Sequence, residues 1–174
     1  MKKTLFVIAL IAMYVFAFAG EKPAIKGEST FWIVSMKFKG NLEQIGPNMK
    51  VFIDEFFKQG LTPQGPPIGI FHNIPGMVNE RELVWDLGFI VEKGTKVKNP
   101  LIAHTINFPE TITCMHVGPY EAMGETYKQL EKFAEENGYK TRPPVINRYI
   151  DNPDKVKDAA IRKTEMLVAV TKNK

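Results

Sequence analysis

The chain has 174 residues, which suits one ordinary globular domain once an N-terminal leader is set aside. Hydrophobic residues at 44% and charged residues at 24% exclude a disordered chain. Without Lys2 and Lys3 the 23 basic residues fall to 21 against 19 acidic ones, a balance that argues against a nucleic-acid partner.

The first element in chain order is a leader. Met1-Lys2-Lys3 is a positive start, Thr4 to Ala19 is almost unbroken apolar sequence, and Ala17-Phe18-Ala19 precedes Gly20. At ~1.5 Å per residue this run spans about 24 Å, short of the ~30 Å hydrocarbon core. It reads as a secretory signal cut after Ala19, with an uncleaved anchor as the alternative. The expected protein is periplasmic or secreted and meets the membrane only through this segment before cleavage. Cys114 is the sole cysteine, which excludes both a lipid-anchored cysteine after the cut and an intrachain disulfide.

Residues 20–29 read as a linker and residues 30–174 as the domain. Phe31 to Phe38 is β-branched and aromatic and reads as a strand. Leu42, Ile45, Met49, Phe52, Ile53 and Phe56 recur at helical spacing until Gly60. Ile68 to Ile74 follows as a short strand after Pro66-Pro67, and Leu83, Trp85, Leu87, Phe89 and Val91 alternate as the next. Residues 93–107 read as a connector. Thr111 to Val117 is then a strand and Tyr120 to Asn137 a helix, which Asn137-Gly138 stops. Val145 to Ile150 and Glu165 to Val170 close the chain.

The two series match each other. A shift of 78 residues superposes Met36 to Pro75 on the second series without a gap. Gly40, Glu43, Gly46, Lys50, Gly60, Pro66, Ile68 and Pro75 fall on Gly118, Glu121, Gly124, Lys128, Gly138, Pro144, Ile146 and Pro153. Met49 falls on Tyr127 and Phe71 on Tyr149. Glycine and proline fix backbone geometry, so their coincidence carries more weight than the number of matches. The reading is an α+β fold of two β-α-β-β units, halves at about 30–92 and 108–171, with pseudo-two-fold symmetry. Helices lie on one face of an antiparallel sheet, with a groove between the halves.

Several segments then resemble a known family. His116-Val117-Gly118-Pro119-Tyr120-Glu121 leads into a helix with Tyr127 and Leu130. Glu136-Asn137-Gly138-Tyr139, Arg148-Tyr149-Ile150-Asp151-Asn152-Pro153 and Thr164 to Val170 follow in order. Pro75-Gly76 and Trp85-Asp86-Leu87-Gly88-Phe89 add to this from the first half. The succession is similar to the GyrI-like superfamily, which includes the gyrase-inhibitory protein, SOUL-like proteins and the effector-binding domains of AraC-type and MerR-type regulators. The resemblance implies a small-molecule pocket between the halves, lined by aromatic side chains, where a buried glutamate often meets a lipophilic cation. That glutamate commonly sits two residues before the closing-strand tyrosine; here Tyr149 matches the tyrosine, and Asn147 stands in the glutamate position. A neutral amide cannot neutralise a cation.

The candidate ligand-binding residues are therefore Tyr149, Asn147, Trp85, Phe89, Tyr120, Tyr127, His116 and Glu165. Tyr149 and Asn147 share a strand face, as do Trp85 and Phe89; Tyr120 and Tyr127 lie on the helix stripe. Glu165, or Asp86 on the first-half strand, is the acid that could stand in for the missing glutamate. Cys114 and His116 on one strand face make only two metal ligands, and His72 and His104 have no supporting spacing, so no metal and no cofactor are expected. The leading function is an exported domain that sequesters or senses an apolar ligand or lipophilic cation. The alternative is a hydrolase of small cyclopropane-type electrophiles, with Tyr149 and Glu165 as its catalytic pair; a third reading seats a protein partner in the groove. Only about ten residues separate leader and first strand, too few for a helix-turn-helix, so direct transcriptional control is not expected.

Overall fold

The computed structural model describes residues 21–74 and 78–173. The leader, its cleavage site and Pro75-Gly76 lie outside the described residues. In chain order the elements are β1 (Ala24–Lys26), β2 (Ser29–Lys39), α1 (Ile45–Lys58), β3 (Ile68–Phe71), β4 (Val84–Ile90), β5 (Ile102–Phe108), β6 (Thr111–Val117), α2 (Met123–Glu136), β7 (Tyr139–Tyr149) and β8 (Lys163–Lys172). Among these described residues no helix is long and apolar enough to cross a membrane.

Each helix begins later than the periodicity suggests. A single 3-10 turn comes first, at Leu42–Gln44 and at Tyr120–Ala122. Asn41 starts the first of these, its side-chain oxygen accepting from the Glu43 N–H at 2.9 Å. Both helices stop where the chain must turn left-handed: Gly60 has φ 70° and Gly138 φ 76°.

All eight strands join one antiparallel sheet in the order β1-β6-β8-β7-β3-β4-β2-β5. Read outward from the β7–β3 seam, the second half runs β7-β8-β6 and the first β3-β4-β2, the same series in each direction. At the seam Gly69 pairs with Asn147. These two residues are themselves 78 positions apart, so the sequence shift maps one onto its own cross-strand partner. An approximate two-fold axis therefore passes through this pair.

The sheet is not flat. β5 and β6 stand near opposite ends of the strand order, yet only Pro109 and Glu110 separate them in sequence. Three Cα steps reach about 11 Å at most, so the two ends of the sheet must approach one another. The Glu110 carbonyl accepts from the Val170 N–H at 3.2 Å and anchors this corner to β8. Inside the curl Ile33, Ile68, Ile70, Phe108, Ile146, Leu167 and Ala169 form an apolar cluster. On the outer face the larger core packs beneath the helices, with Phe89 against Phe52 at 5.3 Å and Phe56 at 4.7 Å between ring centroids. Burying aromatic rings this fully contributes about 1.5–3 kcal/mol each.

Two stretches read as connections are strands. Residues 93–107 contain most of β5, whose Ile102 to Phe108 pair with Ser35 to Ser29 of β2. His104 and Asn107 interrupt its apolar pattern, one on each face, because every residue of this edge strand before Phe108 is exposed or half-exposed. The 20–29 linker contains β1, paired with β6 from Ala24↔Thr113 to Lys26↔Thr111. β7 starts at Tyr139 rather than Val145, and its register shifts between Arg142 and Val145, where Pro143 and Pro144 supply no N–H to the ladder. β3 ends at Phe71 rather than Ile74.

Candidate functional site

The two helices cover the outer face of the sheet on either side of the β3–β7 seam and leave a groove of about 1330 Å³ between them. This exceeds the ~300–1,000 Å³ of common ligand sites. Phe71, Val145, Asn147 and Tyr149 make the floor along the seam, continued by Phe89 of β4 and Met166 of β8. Ile45, Met49 and Ile53 of α1 face Met123 and Tyr127 of α2 across it. Glu43, Lys50, Glu121, Asp151 and Asp154 are the charged residues of the lining; four of these five side chains are exposed and Asp151 is half-buried, which places the charge at the mouth.

Strand alternation decides what faces the groove. On β7 the odd-numbered residues Val145, Asn147 and Tyr149 point toward the helices, while Ile146 points into the curl. Tyr149 is 6% exposed and its hydroxyl has no hydrogen-bond partner among the described residues. Burial pushes this phenol well above its ordinary value, Tyr120 adding to the effect and the neighbouring Asn147 amide slightly offsetting it. The Tyr120 ring meets it in a T-shaped pair at 5.4 Å and carries the Arg162 guanidinium 5.8 Å from its centroid. Tyr127 donates to Thr141 Oγ1 at 3.3 Å, and burial takes its phenol up to about 12. Asn147 is 4% exposed; its Nδ2 lies 3.6 Å from Met123 Sδ and its Oδ1 has no partner among the described residues.

The structure thus brings Tyr149, Asn147, Tyr120, Tyr127 and Phe89 together, and it places three other candidates elsewhere. Trp85 is fully buried, stacked on Phe38 at 4.9 Å, with Nε1 donating to the Gly40 carbonyl at 3.3 Å. It supports the turn between β2 and α1 and does not line the groove. His116 is buried beneath the equivalent turn, Nδ1 2.8 Å from Thr126 Oγ1 and Nε2 3.0 Å from the Pro119 carbonyl. Both ring nitrogens are taken, so it holds the chain rather than a ligand. Glu165 points the opposite way from Met166, into the curl, where it pairs with Arg148 and with Lys26 at 3.5 Å. Asp86 also faces inward, 3.1 Å from His72 Nε2. Neither acid reaches the groove, so Tyr149 gains no carboxylate base from these positions and the proposed catalytic pair is taken apart.

The walls were the least visible part of the site in the sequence. Met49, Ile53 and Met123 look like ordinary core residues on an apolar helix stripe. A signal for them was nevertheless present in the 78-residue shift. Glu43 with Glu121, Gly46 with Gly124, Met49 with Tyr127 and Phe71 with Tyr149 all coincide under it, and all eight residues line the groove. Among the described residues no group of three His, Cys, Asp or Glu side chains could hold a metal. Burial raises the Cys114 thiol to about 12, which leaves it a packing group.

An α+β frame with one large, mostly apolar groove and a few convergent polar atoms at its floor defines a small-molecule-binding class of protein. Residues 22–171 match the GyrI-like small molecule binding domain, and the chain belongs to that family. Among solved structures it is similar to EcmrR in its DNA complex, at 23% identity with a TM-score of 0.76, covering 90% of this chain and 59% of that one. The chain thus spans little more than half the length of that protein. The crystal structure of the EcmrR C-terminal domain matches at 23% identity and a TM-score of 0.71, covering 87% of this chain and 98% of that one. A hydrolase from Listeria innocua matches at 15% identity and a TM-score of 0.59, covering 86% and 92%. At these identities the likeness is one of fold. No curated protein matches the chain.

Proposed function

We propose that this protein binds a small, partly apolar molecule in the groove between its helices, sequestering or sensing it outside the cytoplasm. The observation that carries the reading is the groove itself, about 1330 Å³ of mostly apolar space with two polar side chains, Asn147 and Tyr149, at its floor. A large concave apolar surface with a few polar side chains is the usual form of a small-molecule site. Location outside the cytoplasm rests on the leader alone: its charge, its apolar run and its small residues before Gly20.

Native mass spectrometry on the protein purified from its own periplasmic or culture fraction tests both parts. A processed N-terminus at Gly20 and a retained small mass that is lost on Tyr149→Ala are the expected results. An unprocessed chain confined to the cytoplasm would overturn the location. A protein that carries no mass and binds no apolar dye in the groove would overturn the binding role.

A further inference from the structure

The two halves build the same corner beside the groove with different side chains. Ile70 pairs with Asp86 where Arg148 pairs with Glu165, so β8 follows β4 by 79 residues, one more than the earlier elements. Leu83 and Arg162 are therefore counterparts, as Leu42 and Tyr120 are under the 78-residue shift. The backbone agrees: the Leu83 carbonyl accepts from the Gly40 N–H and the Arg162 carbonyl from the Gly118 N–H, each at 2.9 Å. Asn73 and Asp151 match too, their side-chain oxygens accepting at 2.9 Å from the N–H groups of Val84 and Lys163. In the first half, leucine suffices at both places; Leu83 is buried in the core and Leu42 packs against that core.

The second half carries more than the corner requires. Arg162 is half-buried, its Nε donating to the Val156 carbonyl at 2.9 Å and its Nη2 to the Lys157 carbonyl at 3.0 Å. The same guanidinium lies 5.8 Å from the centroid of the Tyr120 ring, close enough for cation–π attraction. Tyr120 in turn makes the T-shaped pair with Tyr149 at the floor. One planar cation thus ties the far side of the β7–β8 loop to a tyrosine ring, which the single ammonium of a lysine does not span. The near side of that loop, residues 150–154, lines the groove, and so does Tyr120. Arg162 itself does not line it, so any effect on a ligand passes through what it holds.

Resting on the binding role above, we infer that Arg162 is a positioning residue for the ligand. It holds the Tyr120 ring and the 150–154 segment as a fixed wall at one end of the groove, so that a bound molecule leaves slowly. A wall ordered in advance costs less to order on binding, and such gains lie chiefly in the dissociation rate.

N-phenyl-1-naphthylamine, a neutral dye that brightens in apolar surroundings, reads this out by titration and stopped-flow release from the full, processed protein. Arg162→Leu and Tyr120→Leu should each release the dye about tenfold faster. The double variant, which copies the leucine pair of the first half, should release it about twentyfold faster, short of the ~100-fold that independent effects would give. Urea midpoints should move little, because leucines already support this corner in the first half. Arg162→Lys keeps the charge beside the ring without spanning both carbonyls. It reports even if the leucine variants do not fold, and should release the dye about threefold faster. Unchanged release in Arg162→Leu or Arg162→Lys, with or without a lowered midpoint, would overturn the inference while leaving the groove as the site. So would a double variant that reaches the full product of the single effects. An unaltered protein that binds no dye would overturn the binding role, and this inference with it.

Discussion

The Tyr149 hydroxyl lies over Gly69, 2.7 Å from the point where a Cβ on that residue would stand. Because Gly69 pairs with Asn147 across the seam, the ring is laid over the two-fold position at the centre of the groove floor. Phe71 crowds the same point at 3.2 Å. Only a residue without a side chain leaves room for both rings. Gly69→Ala is expected to push Tyr149 toward the helices, destabilise the fold by about 1–3 kcal/mol through overpacking, and lower ligand affinity. Thermal melts and ligand retention check this; an unshifted melt with full retention would show that the ring yields without consequence.

Buried thiol and phenol groups set the alkaline limit of the fold, Tyr149 among them. Burial holds the Cys114 thiol and the Tyr127 phenol each at about 12 in the folded protein. In an unfolded chain they ionise near ~8.5 and ~10. Above those values the unfolded chain binds fewer protons than the folded one, so stability falls as pH rises. It is full below about pH 8.5 and declines toward pH 12. Urea midpoints measured across this range should show the decline, and Cys114→Ala should flatten its first part, between about pH 8.5 and 10. The native thiol should also resist iodoacetamide and react once the chain is unfolded.

Much of this arrangement was legible in the residues, and the exceptions have physical reasons. Strands β2, β4, β6 and β8 announce themselves because one face of each is largely apolar, as in Ile112 and Cys114 against Val168 and Met166. The edges do not: β1 is three exposed residues, and β5 alternates weakly because it pairs only on its β2 side. Alternation placed Asn147 and Tyr149 on one face correctly. It could not say which face of β8 met the helices, since Glu165 and Met166 are both sensible neighbours for a groove. The curl settles that question, and it depends on the two-residue β5–β6 corner, which no local pattern reveals. Trp85 shows another limit: sharing a face with Phe89 does not mean sharing a cavity, because strand residues four apart are ~13 Å apart.

His116 ties the end of β6 to the helix that follows. A carbonyl only accepts, so Nε2 donates to the Pro119 oxygen, and Nδ1 then accepts from the Thr126 hydroxyl. One neutral tautomer satisfies both contacts. His116→Ala would leave the buried Thr126 hydroxyl unpaired and should destabilise the fold by about 1–3 kcal/mol. It should also weaken ligand binding, because Tyr120 and Glu121 stand in the turn it holds. His116→Phe, which restores volume without hydrogen bonds, should recover little of either loss. Full recovery in melts and calorimetry would make the contribution one of packing alone.

Glu165 offers the sharpest separation between stability and binding. Its carboxylate is bonded to the Arg148 guanidinium inside the curl, with side-chain exposures of 16% and 29%, and Lys26 approaches from β1. Arg148 Nε already lacks a partner among the described residues, so removing the carboxylate leaves a half-buried cation poorly compensated. Glu165→Gln should therefore cost about 1–2 kcal/mol, discounted from a fully buried pair because water reaches Arg148. Ligand affinity should not change, since the sheet stands between this pair and the groove. Tyr149→Phe should do the reverse: it removes an unpartnered hydroxyl, so stability holds or rises slightly, while a ligand that accepts from that hydroxyl binds less tightly. Measured side by side by chemical denaturation and calorimetry, the two variants should move different quantities. A loss of ligand affinity in Glu165→Gln at unchanged stability would return the carboxylate to the site and reopen the hydrolytic pair with Tyr149.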